Sequence, residues 1–163
     1  MLSTATVLRP ATAADWSAIA SLLSANKLPQ DGAQDHLANY LLACRNAEVV
    51  GVAGAEIYGN IALLRSIAVA PTVHGQGVGR MLVLRLLEEA KMHRMTEVYL
   101  LTTTATQYFS QFGFQRCSHD CAPPALQSSV QFQGACPASA HFMSLALLPN
   151  QPTTSRTGAQ PSP

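Results

Sequence analysis

Apolar residues in this chain fall into short continuous runs alternating with four-residue repeats. The runs "TVLRP", "YLLAC", "EVVGVAGAEIYG", "IALLRSIAVA", "EVYLLTTT" and "AHFMSLAL" are bounded by polar or glycine-containing turns, which predicts strands. "IALLRSIAVA" is nearly unbroken, as expected of a strand covered on both faces. Trp16, Ile19, Leu22 and Leu23 recur at helical spacing behind Thr12 and Asp15, a capping-box pair. Val78, Leu82, Leu86 and Ala90 recur every four residues, with Arg80, Glu88 and Lys91 elsewhere on the circumference, which predicts an amphipathic helix. Shorter helical segments are expected over part of "QDGAQDHLANY", over "ATQYFSQF" with Gly113 as a left-handed cap, and from Pro124 in "PPALQSSVQF". The order is mixed α and β, with no internal repeat.

Composition narrows the picture. With 163 residues, 48% of them hydrophobic and 12% charged, the chain suits one compact domain over 1–148. From Pro149 onward "PNQPTTSRTGAQPSP" is too polar and proline-rich to build a core, so 149–163 is expected to be disordered. A formal net charge of +1 gives no electrostatic case for nucleic acid or an acidic membrane surface. The start lacks the order of a signal peptide and no apolar run has the length to span a bilayer, so a cytoplasmic location is expected. Cys44, Cys117, Cys121 and Cys136 are then expected as reduced thiols. Only Cys117 and Cys121 lie close together, a weak metal pattern, and no metal is expected.

The chemistry centres on "RSIAVAPTVHGQGVGRMLVLRLLEEA", residues 65–90, where a strand meets a helix through Gly75, Gly77 and Gly79. Such a turn aims several backbone N–H groups and the positive helix end at one point, which suits an anion. A P-loop needs Lys after its second glycine, but Gly79 is followed by Arg80 and Met81. The dinucleotide pattern GxGxxG needs glycine at Arg80 or Leu82 and fails as well. A purely structural glycine turn remains open at this point.

The run "VAPTVHGQGVGRMLV" resembles the signature of the GNAT N-acyltransferases, in which a strand ending V-x-P leads to R/Q-x-x-G-x-G/A and a helix. The likeness extends from about Arg9 to Leu147. It implies an α/β (α+β) fold, with a mixed central sheet of about six to seven strands, a splay between the fourth and fifth, and about four flanking helices. It also implies acetyl-CoA as cosubstrate, its pyrophosphate held by His74, Gly75, Gln76, Gly77, Val78, Gly79 and Arg80, with His74 replacing the usual Arg or Gln. Ile67, Ala68 and Val69 are the implied contacts of the acetyl-bearing strand. Proteins of this kind often pair, so a homodimer is an allowed assembly.

Direct attack of an amine on a thioester needs a neutral amine, a polarised carbonyl and a proton for the departing thiolate. The family's Tyr in Y-x-x-x-G-F is replaced here by Phe109, and Tyr108 lies one residue away, about 100° around a helix. Tyr108 and Glu56 are the candidate acid and base, Glu56 acting through water or being merely a strand-end charge. Arg65 interrupts an apolar strand and needs an anion, either a protein carboxylate or the α-carboxylate of an amino-acid substrate. Thr102, Thr103 and Thr104 offer hydroxyls to a second anionic group, although Thr104 also suits a helix cap. "ALLRSIAVAP", "YLLTTTATQYFSQFGF" and "CPAS" together resemble the arsenic-resistance (ArsN-type) N-acetyltransferases, whose relatives acetylate glutamate mimics such as phosphinothricin and arsinothricin. The short glutamate N-acetyltransferases of arginine synthesis share the Arg before the strand, and a non-catalytic acyl-CoA-binding module and acetylation of a protein or peptide amine are the remaining alternatives. The expected partner is a small-molecule amino-acid substrate.

Overall fold

A computed structural model describes residues 5–132 and 140–147. Within them, β1 (Val7–Pro10), β2 (Tyr40–Arg45), β3 (Glu48–Tyr58), β4 (Ile61–Val69), β5 (Glu97–Thr102), β6 (Gln115–Cys117) and β7 (His141–Ala146) form one sheet in the order β1-β2-β3-β4-β5-β7-β6. Neighbours pair antiparallel except β4 with β5, which are joined through α2 (Val78–Met92) and run parallel. The mixed sheet expected from sequence is therefore present, with seven strands.

Local chemistry explains the connections. Asn46 and Ala47 both adopt positive φ, 51° and 68°, closing β2 onto β3 in the twist that a two-residue hairpin requires. Arg9 grips Asp15 with two hydrogen bonds of 2.9 and 2.8 Å, while the Thr12 amide donates to the same carboxylate at 2.8 Å. This ties β1 to the start of α1 (Trp16–Ala25), as the capping pattern predicted.

Two layers cover the sheet. On one face α2 buries Val78, Leu82, Val83, Leu86 and Leu87 against Ala43, Ala53, Ala55, Ala62 and Leu64. Each such side chain contributes roughly 1.5–3 kcal/mol. A Cβ on Gly51 would lie 3.0 Å from both Leu82 and Val78, so this glycine sets how closely α2 approaches β3. On the other face α1 packs Ile19, Leu22 and Leu23 against Tyr40, Leu42, Val52 and Ala68. Beside it Leu63, Tyr99, Leu126 and Phe142 form a second cluster, the Tyr99 and Phe142 rings stacked 5.2 Å apart.

Several expectations are corrected. "QDGAQDHLANY" folds as 3-10 turns over Ala33–Asn39, kinked at His36, and "PPALQSSVQF" gives a 3-10 turn over Pro124–Ser128 instead of a longer helix. α3 (Thr106–Ser110) is shorter than its sequence pattern, ending before Gly113, which adopts φ 100°. Strand β6 was not predicted; three residues carry no readable period, and only pairing with β7 makes them a strand. Cys136 and the tail from Pro149 lie outside the described residues. Among the described residues no helix is long and apolar enough to cross a membrane.

Candidate active site

The sheet opens at its centre. β4 and β5 pair only from Ile61↔Glu97 to Leu64↔Leu100, so residues 65–69 of β4 keep β3 on one edge and have lost β5 on the other. The break coincides with a register shift against β3 between Val52 and Gly54, and with Ser66 at φ 60°, a left-handed conformation costly for a non-glycine residue. Beyond this bulge the Ala70 amide donates to Val50 on the β3 side (2.8 Å), so alternation turns the Val69 and Ile67 amides toward the vacated edge. Ala68 presents its amide to β3 and its methyl to the α1 layer.

This open edge runs directly into the glycine turn. After the 3-10 turn Pro71–Val73, Gly75 (φ 77°) and Gly77 (φ 81°) take left-handed conformations, and Gly77 is the N-cap of α2. The Gln76 amide is spent on Val73 (3.3 Å), whereas those of Val78, Gly79 and Arg80 begin the helix, where no intrahelical acceptor exists. A Cβ at Gly75 or Gly77 would meet nothing within 4 Å, so these glycines serve backbone conformation and leave the outside of the turn clear. His74 is exposed; its Nε2 donates to the Val69 carbonyl at 3.0 Å and pins the turn to the strand end. Convergent amides, positive helix end and clear approach fit a pyrophosphate.

Tyr108 enters here although one residue displaced from the expected place. Its hydroxyl lies 3.2 Å from where a Gly79 Cβ would be, a point that Val69 also approaches at 3.5 Å, while Phe109 is buried in the core. Gly79 thus clears space for this phenol. Burial pushes the Tyr108 pKa up, with Arg80 partly opposing, so the hydroxyl keeps its proton.

Glu56 and Arg65 are brought together under the opening. Arg65 NH1 donates to Glu56 Oε2 at 2.7 Å, both side chains fully buried, and NH2 donates to the Asp31 carbonyl at 2.7 Å. Of the two anions left open for Arg65, the protein supplies its own. Tyr58 donates a short hydrogen bond to Glu56 Oε1, and His36 Nε2 lies 3.9 Å from the same oxygen. Burial alone would raise the Glu56 pKa, yet hydrogen bonds from Tyr58, Ser129 and Arg65 and the Arg65 charge bring it below the ordinary value. Arg65 Nε also donates to Ser66 Oγ (3.2 Å), which is bonded to the Tyr40 hydroxyl at 2.7 Å. Tyr40 reaches Ser66 because residue 54 is glycine: a Cβ there would lie 2.2 Å from the Tyr40 ring. The network therefore runs from Tyr58 through Glu56, Arg65 and the bulged residue Ser66 to Tyr40.

Thr102 closes β5, but its Oγ1 accepts from the Ala105 amide (3.0 Å), so Thr102 and not Thr104 supports the turn into α3. Thr103 and Thr104 are exposed beyond the strand. Tyr40, Ser66, Tyr58, His36 and Ser129 were absent from the sequence reading. Only Tyr58 carried a signal, since residues two apart on a strand share a face with Glu56.

Residues 36–116 match the family model for the acetyltransferase (GNAT) domain. No curated protein matches the sequence. The structure is similar to N-acetylglutamate synthase from Neisseria gonorrhoeae complexed with coenzyme A and N-acetyl-glutamate (TM-score 0.76, 19% identity, 90% of this chain and 36% of that one). It is similar also to Rv2747 from Mycobacterium tuberculosis in complex with CoA and NLQ (TM-score 0.71, 23% identity, 87% and 99%). A third is the PaiA N-acetyltransferase from Thermoplasma acidophilum in complex with coenzyme A (TM-score 0.65, 12% identity, 88% and 100%). The chain spans about a third of the length of the Neisseria synthase. The open β4 edge and the glycine turn both lie inside the segment 36–116 that matches the acetyltransferase (GNAT) domain model, and the fold is the GNAT fold of these structures.

Proposed function

We propose that this protein is an acetyl-CoA-dependent N-acetyltransferase acting on the α-amine of a small glutamate-like amino acid, including toxic mimics such as phosphinothricin and arsinothricin. One observation carries the acetyl-CoA reading: the unpaired β4 edge, with its Val69 and Ile67 amides, leads straight into a turn whose amides converge on an anion. When bound, acetyl-CoA supplies a thioester-activated acetyl group.

The chain's residues divide the work. The α2 first-turn amides, from Val78 to Arg80, hold the pyrophosphate, and Gly75 and Gly77 give the turn its shape. The Val69 and Ile67 amides orient the acyl end at the vacated edge. Tyr108, protonated and over Gly79, donates a proton toward the departing sulfur. Glu56 serves as counter-ion to Arg65 in place of the relay base considered from sequence, because it is sealed from water and held ionised. Arg65 anchors the loop before the 3-10 turns of Ala33–Asn39 by holding the Asp31 carbonyl.

A small acceptor is favoured because the two loops on the α1 side meet: a Cβ on Gly32 would lie 2.6 Å from Val130. An extended peptide would have to part them. The glutamate-like class is favoured by the likeness to the Neisseria synthase, whose complex holds N-acetyl-glutamate, and by the exposed Thr103 and Thr104 hydroxyls.

The test is acetyl-CoA-dependent thiol release with glutamate, phosphinothricin, arsinothricin and a peptide amine at equal concentration. Turnover on the amino acids and not on the peptide is expected, and preference among them separates biosynthesis from detoxification. Turnover on the peptide alone would sink the small-acceptor reading. Binding of acetyl-CoA without turnover on any amine would make the protein a binding module.

A further inference from the structure

A cation outside the matched signature reaches the glycine turn from another element. Arg45 is the last residue of β2, at the hairpin that also starts β3, and its NH1 donates to Gln76 Oε1 at 2.6 Å. Gln76 stands between the two left-handed glycines, so the guanidinium lies against the flank of the turn. Its Nε donates to Thr6 Oγ1 at 2.8 Å, which fixes the other side of the group.

Both partners are neutral. Among the described residues no carboxylate lies within 4 Å of Arg45, even though Glu48 is its partner in the β2–β3 register. A surface arginine commonly needs no anion. This one differs in being held at two points, one of them a side chain of the glycine turn itself, with three of its five N–H groups unspent by the two bonds.

The proposed cosubstrate carries three phosphates. The first turn of α2 accounts for the pyrophosphate pair, leaving the 3′-phosphate of the ribose, a monoester with a charge of about −1.5 to −2 at neutral pH. A planar guanidinium with paired N–H groups is the side chain best shaped for such a group. We infer that Arg45, steadied by Thr6 and Gln76, binds the 3′-phosphate of coenzyme A and thereby selects it over 3′-dephospho-coenzyme A. This rests on the acetyl-CoA reading above.

The experiment is calorimetric titration of the full chain and its Arg45→Gln, Arg45→Lys and Gln76→Ala variants with coenzyme A and with 3′-dephospho-coenzyme A. The unaltered protein should prefer coenzyme A by roughly tenfold, in keeping with a charged hydrogen-bonded contact at a partly exposed site. Arg45→Gln should lose that preference by weakening coenzyme A alone, Arg45→Lys should keep part of it, and Gln76→Ala should keep most. Equal weakening of both ligands by Arg45→Gln would overturn the inference and show that Arg45 only shapes the turn. Loss of the preference in Gln76→Ala as complete as in Arg45→Gln would overturn direct contact, and an unaltered protein without any preference would overturn the inference while leaving the acetyl-CoA reading intact. Failure of the unaltered protein to bind either ligand would remove both.

Discussion

At the scale of single residues, Tyr108 and the Glu56–Arg65 pair make opposite demands on the sequence reader. The phenol looked displaced because a one-residue shift rotates a side chain about 100° on a helix. α3 has a single short turn, however, and Gly79 leaves the space that the hydroxyl occupies. Tyr108→Phe should lower kcat by about 10²-fold, the low end for a positioned proton donor, while leaving the KM for acetyl-CoA nearly unchanged. Steady-state kinetics decides this, and an unchanged kcat would leave the proton to solvent. For the ion pair, removal of one partner strands a buried charge, so Arg65→Ala should cost about 3–5 kcal/mol in denaturant unfolding. The double replacement of Glu56→Leu with Arg65→Met should recover most of that. Because the folded-state pKa of Glu56 lies below its unfolded value, its stabilising contribution is complete above about pH 4.3 and is lost as pH falls toward the folded-state value. Melts between about pH 3 and pH 6 should therefore show a steeper acid loss in the parent protein than in Glu56→Gln. Arg65's need for an anion was legible from its place in an apolar run, but the identity of that anion was not, since Glu56 sits on another strand.

At the scale of elements, the bulge in β4 is the feature on which the opening depends. A regular strand would have continued pairing with β5; the positive φ of Ser66 and the shift between Val52 and Gly54 turn the strand away. Two side chains hold that strained residue, since Ser66 bonds both Tyr40 and Arg65, and Tyr40 in turn lies on the bare Cα of Gly54. Gly54→Ala should therefore cost about 1–3 kcal/mol through overpacking and lower kcat, as the displaced Tyr40 ring releases Ser66. Gly77→Ala should act differently: nothing blocks its methyl, but φ 81° penalises any Cβ, so the KM for acetyl-CoA rises instead. The same kinetic parameter moving in both variants would show that strand and turn behave as one unit. None of this could be read along the chain, because a bulge exists only relative to the partner strand's register.

At the scale of the whole molecule, the open β4 edge, the glycine turn and the buried network are built on one sheet, so a ligand that needs all of it should stabilise all of it. Acetyl-CoA at 100 times its Kd should add about 2.7 kcal/mol to stability, seen as a raised Tm that Gly77→Ala diminishes. No shift at saturating ligand would contradict the acetyl-CoA reading. The sequence by itself determined the order of six of the seven strands and of α1, α2 and α3, the two-faced burial of the central strand and the position of the glycine turn. Each is encoded within a dozen or so neighbouring residues, as apolar periodicity or as glycines where side chains would obstruct. Only the tertiary structure decided that β4 and β5 part after Leu64, that Arg65 is neutralised by Glu56, that Tyr108 reaches Gly79 and that Arg45 comes to Gln76 from β2. Those contacts join residues far apart along the chain or set by strand register, and their geometry exists only once the sheet and its two covering layers have packed.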